Sequence, residues 1–196
     1  GKHGDILNLP FLDTLHPYTE LAIGGGNPLS HPDLIPFLRG LKERKLIPSM
    51  TVNQTHFLKN APLLFYLSEQ GLLYGLGVSY ISGTSDDERN KLIEALKRFP
   101  NAVIHVINGI VSMDELSALS MNQFKILILG YKTFRRGAKN YVEHTTDILK
   151  KHQALFEGLP DVIQQGWFQT VSFDNLAIKQ LKVRRLMDDA SWEQFY

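Results

Sequence analysis

Short apolar runs punctuate the chain at ELAIG (20–24), LIPSMTVN (46–53), YGLGVSYI (74–81), AVIHVIN (102–108), FKILILG (124–130) and WFQTVSF (167–173). Most are nearly continuous in apolar or β-branched residues, the pattern of strands buried on both faces. Between them the apolar residues change to three- and four-residue spacing. HPDLIPFLRGLKERK places Leu34, Phe37, Leu38 and Leu41 on one helical face. SDDERNKLIEALKRF opens with acidic residues, which suit a helix N-terminus, and turns Leu92, Ile93, Leu96 and Phe99 inward. THFLKNAPLLFYLSEQG ends on Gly71, a C-terminal cap. MDELSALS reads as a shorter helix, and the longer interval 132–166 is expected to hold a helix around 139–156.

The predicted strand centres recur at roughly 23–28 residues, about the length of one strand–loop–helix–loop unit. Strict alternation of strands and helices implies a parallel sheet with crossover helices. The near-constant period favours a barrel or partial barrel over an open doubly wound sheet. The expectation is therefore α/β, a partial (β/α) TIM-like barrel with about six parallel strands. No linker or low-complexity tract interrupts the alternation, so residues 1–196 read as a single domain.

In either architecture ligands bind at the C-terminal strand ends. Those ends are Gly24-Gly25-Gly26-Asn27-Pro28, Thr51-Val52-Asn53-Gln54, Ser79-Tyr80, Ile107-Asn108-Gly109, Leu129-Gly130-Tyr131 and Ser172-Phe173-Asp174-Asn175. Nearly all set a glycine or small polar residue after an apolar strand. Glycine lets a ligand approach the backbone and permits positive φ. Exposed N–H groups would suit an anion and exposed carbonyls an ammonium group. The alternative is a tight turn whose glycines merely let the next helix pack. A dinucleotide fingerprint fails on spacing, and no Walker lysine follows GGGNPL.

The stretch IGGGNPLSHPDLIPFLRGLKERKL followed by TVNQT resembles the radical S-adenosylmethionine (SAM) superfamily, where a GGEP-type loop ends the second strand and the third ends near TNG. VSYIS, VINGIV and ILGYK resemble the later strand ends, so the likeness runs from about residue 18 to 131 and more weakly to 175. It implies a partial or full (β/α) barrel that binds SAM. Gly24, Gly25 and Gly26 would contact the methionyl amino group, with Asn27-Pro28 at the family's Glu-Pro. Asn53 and Ser79 would face the ribose and carboxylate. Ile107, Asn108 and Gly109, with Leu129, Gly130 and Tyr131, would line the adenine. The family also carries a [4Fe–4S] cluster on a C-x3-C-x2-C loop and uses it to generate a 5′-deoxyadenosyl radical. That chemistry implies an external electron donor and a small-molecule or peptide substrate.

Two departures bear on this. Asn27 stands where the family has an acidic residue; its carbonyl can accept a hydrogen bond, without charge assistance. The sequence also contains no cysteine. It opens on GKHGDILNLP without an initiator Met and stops at WEQFY, so a fragment is expected, with the cluster loop upstream of Gly1 and the chain by itself inactive. Residues 5–16 would then be the family's first helix. The alternative is a cluster-free (β/α) barrel module that binds a nucleotide or phosphate metabolite.

Composition adds exclusions. Twenty-one Lys and Arg against twenty Asp and Glu leave a net charge of +1, so no overall field points to nucleic acid. Arg135-Arg136 and Lys179 to Arg185 read as solvated faces. No apolar run approaches the ~18–20 residues of a membrane span, and no secretory leader is present, so a cytoplasmic protein is expected. No two histidines stand three or four apart; His144 and His152 are eight apart, and no metal site is expected. His31 reads as a helix-start residue, and His105, mid-strand, as a hydrogen-bonded core histidine. Asp86, Asp87 and Glu88 read as helix-start charges, Asp188-Asp189 as a helix end or loop, and Asp174 as a cap for the helix after the last strand. Tyr80 and Tyr131 read as fillers.

Overall fold

The computed structural model describes residues 4–133 and 136–195. Strands alternate with helices along the chain, and strand order in the sheet follows chain order, all parallel. The fold class is α/β, with the succession of a partial (β/α) barrel. Contacts divide the chain within the fourth strand into two compact units, Gly1–Val103 and Ile104–Tyr196.

In the first unit, β1 (Glu20–Ile23), β2 (Ile47–Asn53) and β3 (Gly75–Ser79) pair in parallel, with α1 (Leu34–Glu43), α2 (Gln54–Glu69) and α3 (Asp86–Leu96) between and after them. One face of these strands is sealed. Met50, Val52 and Val78 are buried there, and Leu38, Leu41, Phe57, Leu64 and Leu92 of the helices are buried too. Each such side chain contributes about 1.5–3 kcal/mol by leaving water. The other face is tiled with small residues. Register sets Ala22 beside Ser49, Ser49 beside Gly75, Thr51 beside Gly77 and Asn53 beside Ser79. A Cβ on Gly75 would come within 2.9 Å of the Ser49 Cβ, so glycine is required there by close strand packing.

Local chemistry explains the helices. Asn53 caps α2 by accepting from the His56 N–H (2.8 Å), and Ser85 caps α3 by accepting from Glu88. Gly71, at φ +61°, follows the end of α2 as expected. Proline inside α2 (Pro62) accompanies a non-helical Asn60, since proline removes a helix hydrogen bond and crowds the preceding turn. Residues 5–16 are not one helix: only Pro10–Thr14 forms a 3₁₀ turn. The Asp5 carboxylate takes the Leu7 and Asn8 N–H groups into a local turn instead, and Pro10 has no N–H to give to an upstream turn.

In the second unit β4 (Ala102–Ile107) continues into a loop and α4 (Met113–Leu119), which opens on a reciprocal capping box between Ser112 and Glu115. β5 (Lys125–Leu129) and β6 (Thr170–Phe173) pair in parallel. Between them α5 runs over Arg136–Gln164, longer than the 139–156 expected, with non-helical geometry at His144 and a proline at 160. Its buried residues, Ile148, Leu155, Leu159 and Val162, keep helical spacing past Phe156. The helix after β6 is interrupted: α6 (Asn175–Gln180) stops, Lys182 takes φ +48°, and a 3₁₀ turn covers Val183–Leu186. Asp188 then accepts from the Ser191 N–H ahead of α7 (Asp189–Phe195), so that acidic pair begins a helix.

Candidate functional site

In the first unit the β1 loop presents unshielded backbone. Gly24, Gly25 and Gly26 are all exposed. A Cβ on any of them would meet nothing within 4 Å. Helix packing therefore explains none of the three, and only Gly25, at φ +117°, needs glycine for its conformation. Asn27 follows in an extended conformation and leads into a 3₁₀ turn over Pro28–Ser30. Its side-chain oxygen is buried and has no hydrogen-bond partner. A buried acceptor left unpaired costs about 1–3 kcal/mol, so the position calls for a donor.

Neighbouring groups are partly committed. Asn53 spends its oxygen on the α2 cap, which leaves its NH₂ group outward on an exposed side chain. Ser79 lies beside it in register and is half-buried. Tyr80 is buried, and its hydroxyl bonds the Arg89 guanidinium, whose pKa rises further through that bond. Gln54, which carries no motif signal, is 2% exposed and accepts from the Ile81 N–H (3.1 Å), pinning the loop after β3. His31 accepts from the Asp33 N–H through Nδ1 (3.1 Å), so Nε2 carries the proton facing the Gly4 carbonyl (2.9 Å). A cavity of about 310 Å³ runs along β1, with Leu21, Ile23, Gly24, Pro28, Leu34 and Phe37 in its walls.

The second unit spends its strand-end groups internally. The Gly130 N–H donates to Asp174 Oδ1 (2.9 Å), and the same oxygen caps α6 through the Ala177 N–H (2.7 Å). A Cβ on Gly130 would sit 2.4 Å from Leu176 Cγ, so this glycine serves packing. Gly109, at φ +80°, similarly lies against Ile148. The Tyr131 N–H donates to Gln180 Oε1 (2.9 Å), and the Tyr131 carbonyl accepts from Gln180 Nε2 (2.8 Å). Asn108, 2% exposed, donates to the same Gln180 oxygen (3.0 Å), and its own oxygen faces His152 Nδ1 (3.1 Å). The Tyr131 hydroxyl donates to the Gly137 carbonyl (2.9 Å). Ile107 is exposed and Leu129 half-buried at the ends of β4 and β5. Gln180 is not singled out in the sequence, and His152 figures there only as one of the dispersed histidines. Their distance from Asn108 along the chain, 72 and 44 residues, hides the cluster from any local motif.

His105 departs from expectation. It is half-buried on the less covered side of β4 and has no hydrogen-bond partner among the described residues. Burial pushes its pKa below the ordinary 6.5 and favours the neutral ring. In the cluster from Lys179 to Arg185, Arg185 lies 3.9 Å over the Phe156 ring and Arg184 pairs with Asp189. Arg135 lies outside the described residues.

Among the described residues no group of three or more His, Cys, Asp or Glu side chains is placed to hold a metal ion. With no cysteine in the sequence, these residues do not fit a thiolate-held [4Fe–4S] cluster. No helix among them is long and apolar enough to cross a membrane. No protein-family model matches the chain, and no curated protein or solved structure matches it.

Proposed function

We propose that the first unit binds the methionyl end of S-adenosylmethionine, as part of a radical SAM-type enzyme. The observation that carries the reading is the Asn27 oxygen, buried without a donor next to three glycines that nothing in the fold crowds. An ammonium group supplies that donor, and the open glycines admit it to the backbone. The Asn53 NH₂ group and the Ser79 hydroxyl, side by side in register, suit a carboxylate or ribose hydroxyls. The chain's part is to bind and orient. In such enzymes an iron–sulfur cluster supplies the electron that cleaves SAM, and this sequence has no cysteine to hold one, so no cleavage step is assigned to its residues.

The test is an amide chemical-shift titration of the protein with SAM, with methionine and phosphate as comparisons. SAM and methionine are expected to shift Gly24, Gly25, Gly26 and Asn27, and Asn27→Ala to weaken both about tenfold, the worth of one hydrogen bond of ~1.4 kcal/mol. Shifts at the same glycines with phosphate but not with SAM or methionine would overturn the reading in favour of a cluster-free nucleotide- or phosphate-binding module. Reading the frame upstream of the Gly1 codon tests the enzyme assignment separately. A C-x3-C-x2-C pattern there supports it, and a start codon without cysteines removes the radical mechanism.

A further inference from the structure

The hydrogen bonds of the second unit fix a histidine tautomer. Backbone groups are unambiguous: the Tyr131 N–H must donate and its carbonyl must accept, which fixes the Gln180 amide with Oε1 on the N–H and Nε2 on the carbonyl. Gln180 Oε1 can then take its second bond only from a donor, so Asn108 presents its nitrogen to Gln180 and its oxygen to His152. An oxygen without hydrogen can only accept. His152 Nδ1 therefore carries the proton, and in the neutral ring Nε2 is a bare lone pair. Nε2 has no partner among the described residues, and it is not buried, since the buried unpartnered side-chain atoms are Asn27 Oδ1 and Thr84 Oγ1.

His152 lines a cavity of about 220 Å³. The Tyr131 and Tyr141 rings, 5.9 Å apart, form one part of its wall, and Ile148 and Leu149 contribute apolar surface. Gly109 packs directly against Ile148, where a Cβ would come within 2.9 Å of the Ile148 side chain. The volume falls below the roughly 300 Å³ at which drug-sized pockets begin, so a single ring is the natural occupant. Asn108 and Gln180 already have both of their polar heavy atoms bonded. The hydroxyls of Thr133 and Tyr141 can donate or accept, whereas Nε2 of the neutral His152 ring can only accept.

From this geometry we infer that the second unit holds a binding site for a one-ring aromatic hydrogen-bond donor of the phenol class, with the ring on the tyrosine pair and the hydroxyl donating to His152 Nε2. The site is lined by second-unit residues alone and stands or falls apart from the function proposed above. Its test uses the full chain with phenol and anisole, which share a ring and differ in the donor. Long-range ¹H–¹⁵N spectra of the imidazole are expected to report Nδ1 protonated, and phenol to move the His152 Nε2 signal. Anisole is expected to bind at least tenfold more weakly, and His152→Phe to bring phenol to the anisole level. Equal binding of phenol and anisole, or protonation on Nε2 in the free protein, would overturn the inference. The tautomer readout needs only the unsubstituted protein, so it decides even where His152→Phe does not fold.

Discussion

The loops after β1 and β5 both place glycine at a strand end, yet the two glycines answer different physical demands. At Gly130 the next helix arrives so closely that a methyl group would overlap Leu176 and the Ala177 backbone, while the amide is claimed by Asp174. At Gly24 and Gly26 nothing approaches within 4 Å of where a Cβ would stand, and the adjacent Asn27 oxygen is left wanting a donor. The second unit commits Gly130 to its own next helix, while the first leaves the glycines after β1 open. A glycine-rich strand end is thus ambiguous as text and becomes informative only once the space around each missing Cβ is known.

The comparison can be broken most forcefully at the packed glycine. Gly130→Ala is expected to destabilise the protein by about 3 kcal/mol, the upper part of the range for overpacking, whereas Gly24→Ala stays within about 0.5 kcal/mol. Urea denaturation of both variants reads the difference. Equal losses would mean that the β1 loop is packed after all. A step below in size, Gln180→Ala leaves the Tyr131 N–H and carbonyl and the Asn108 NH₂ group short of a partner, for an expected loss of about 2 kcal/mol. Gln180→Glu distinguishes shape from chemistry: it keeps the acceptor but cannot donate to the Tyr131 carbonyl, and should recover only part of the loss.

The smallest effect concerns His105. Its folded pKa lies below the ordinary 6.5, so above that value both folded and unfolded rings are neutral and pH has no influence through this group. As pH falls between 6.5 and the lower folded value, the unfolded chain binds the proton first and stability declines. Thermal unfolding from pH 7 to pH 5 should show this decline, and His105→Gln should flatten it. An unchanged slope in the variant would assign the decline to other groups.

Much of the frame was legible in the residues. The six apolar runs coincide with the six strands, although burial along most of them alternates, as at Met50 and Val52 in β2, rather than covering both faces as a continuous run suggests. Helix starts were legible at Asp86, Asp87 and Glu88, whose charges open α3, and at Asp174, which caps α6. Helix length was less so: α5 runs to Gln164, eight residues past the expected end at 156, through Gly158 and Pro160, which read as helix breakers in sequence. The helix over residues 5–16 was implied by the family resemblance alone, and Asp5 and Pro10 impose local turns there instead. His105 misled in another way, since a strand position gives no hint whether the ring meets a partner.

The candidate sites were legible unevenly. GGGNP stands out as a string, and its surroundings leave it open. Asn108 was singled out from its position at a strand end, but Gln180, the residue that orders Asn108, Tyr131 and His152, sits at the end of a short helix with no pattern around it. A carboxamide is chemically anonymous in sequence; only the two backbone groups it meets reveal its role.

That pairing has a meaning for how the sheet ends. To Tyr131 the Gln180 side chain is a counterfeit peptide, offering one acceptor and one donor where a neighbouring strand would offer a carbonyl and an amide. The ladder is thereby finished by a residue written 49 positions later, in a helix. The stopping point of β5 belongs to α6 as much as to β5 itself, so a change in that helix edits the boundary of a strand it never joins.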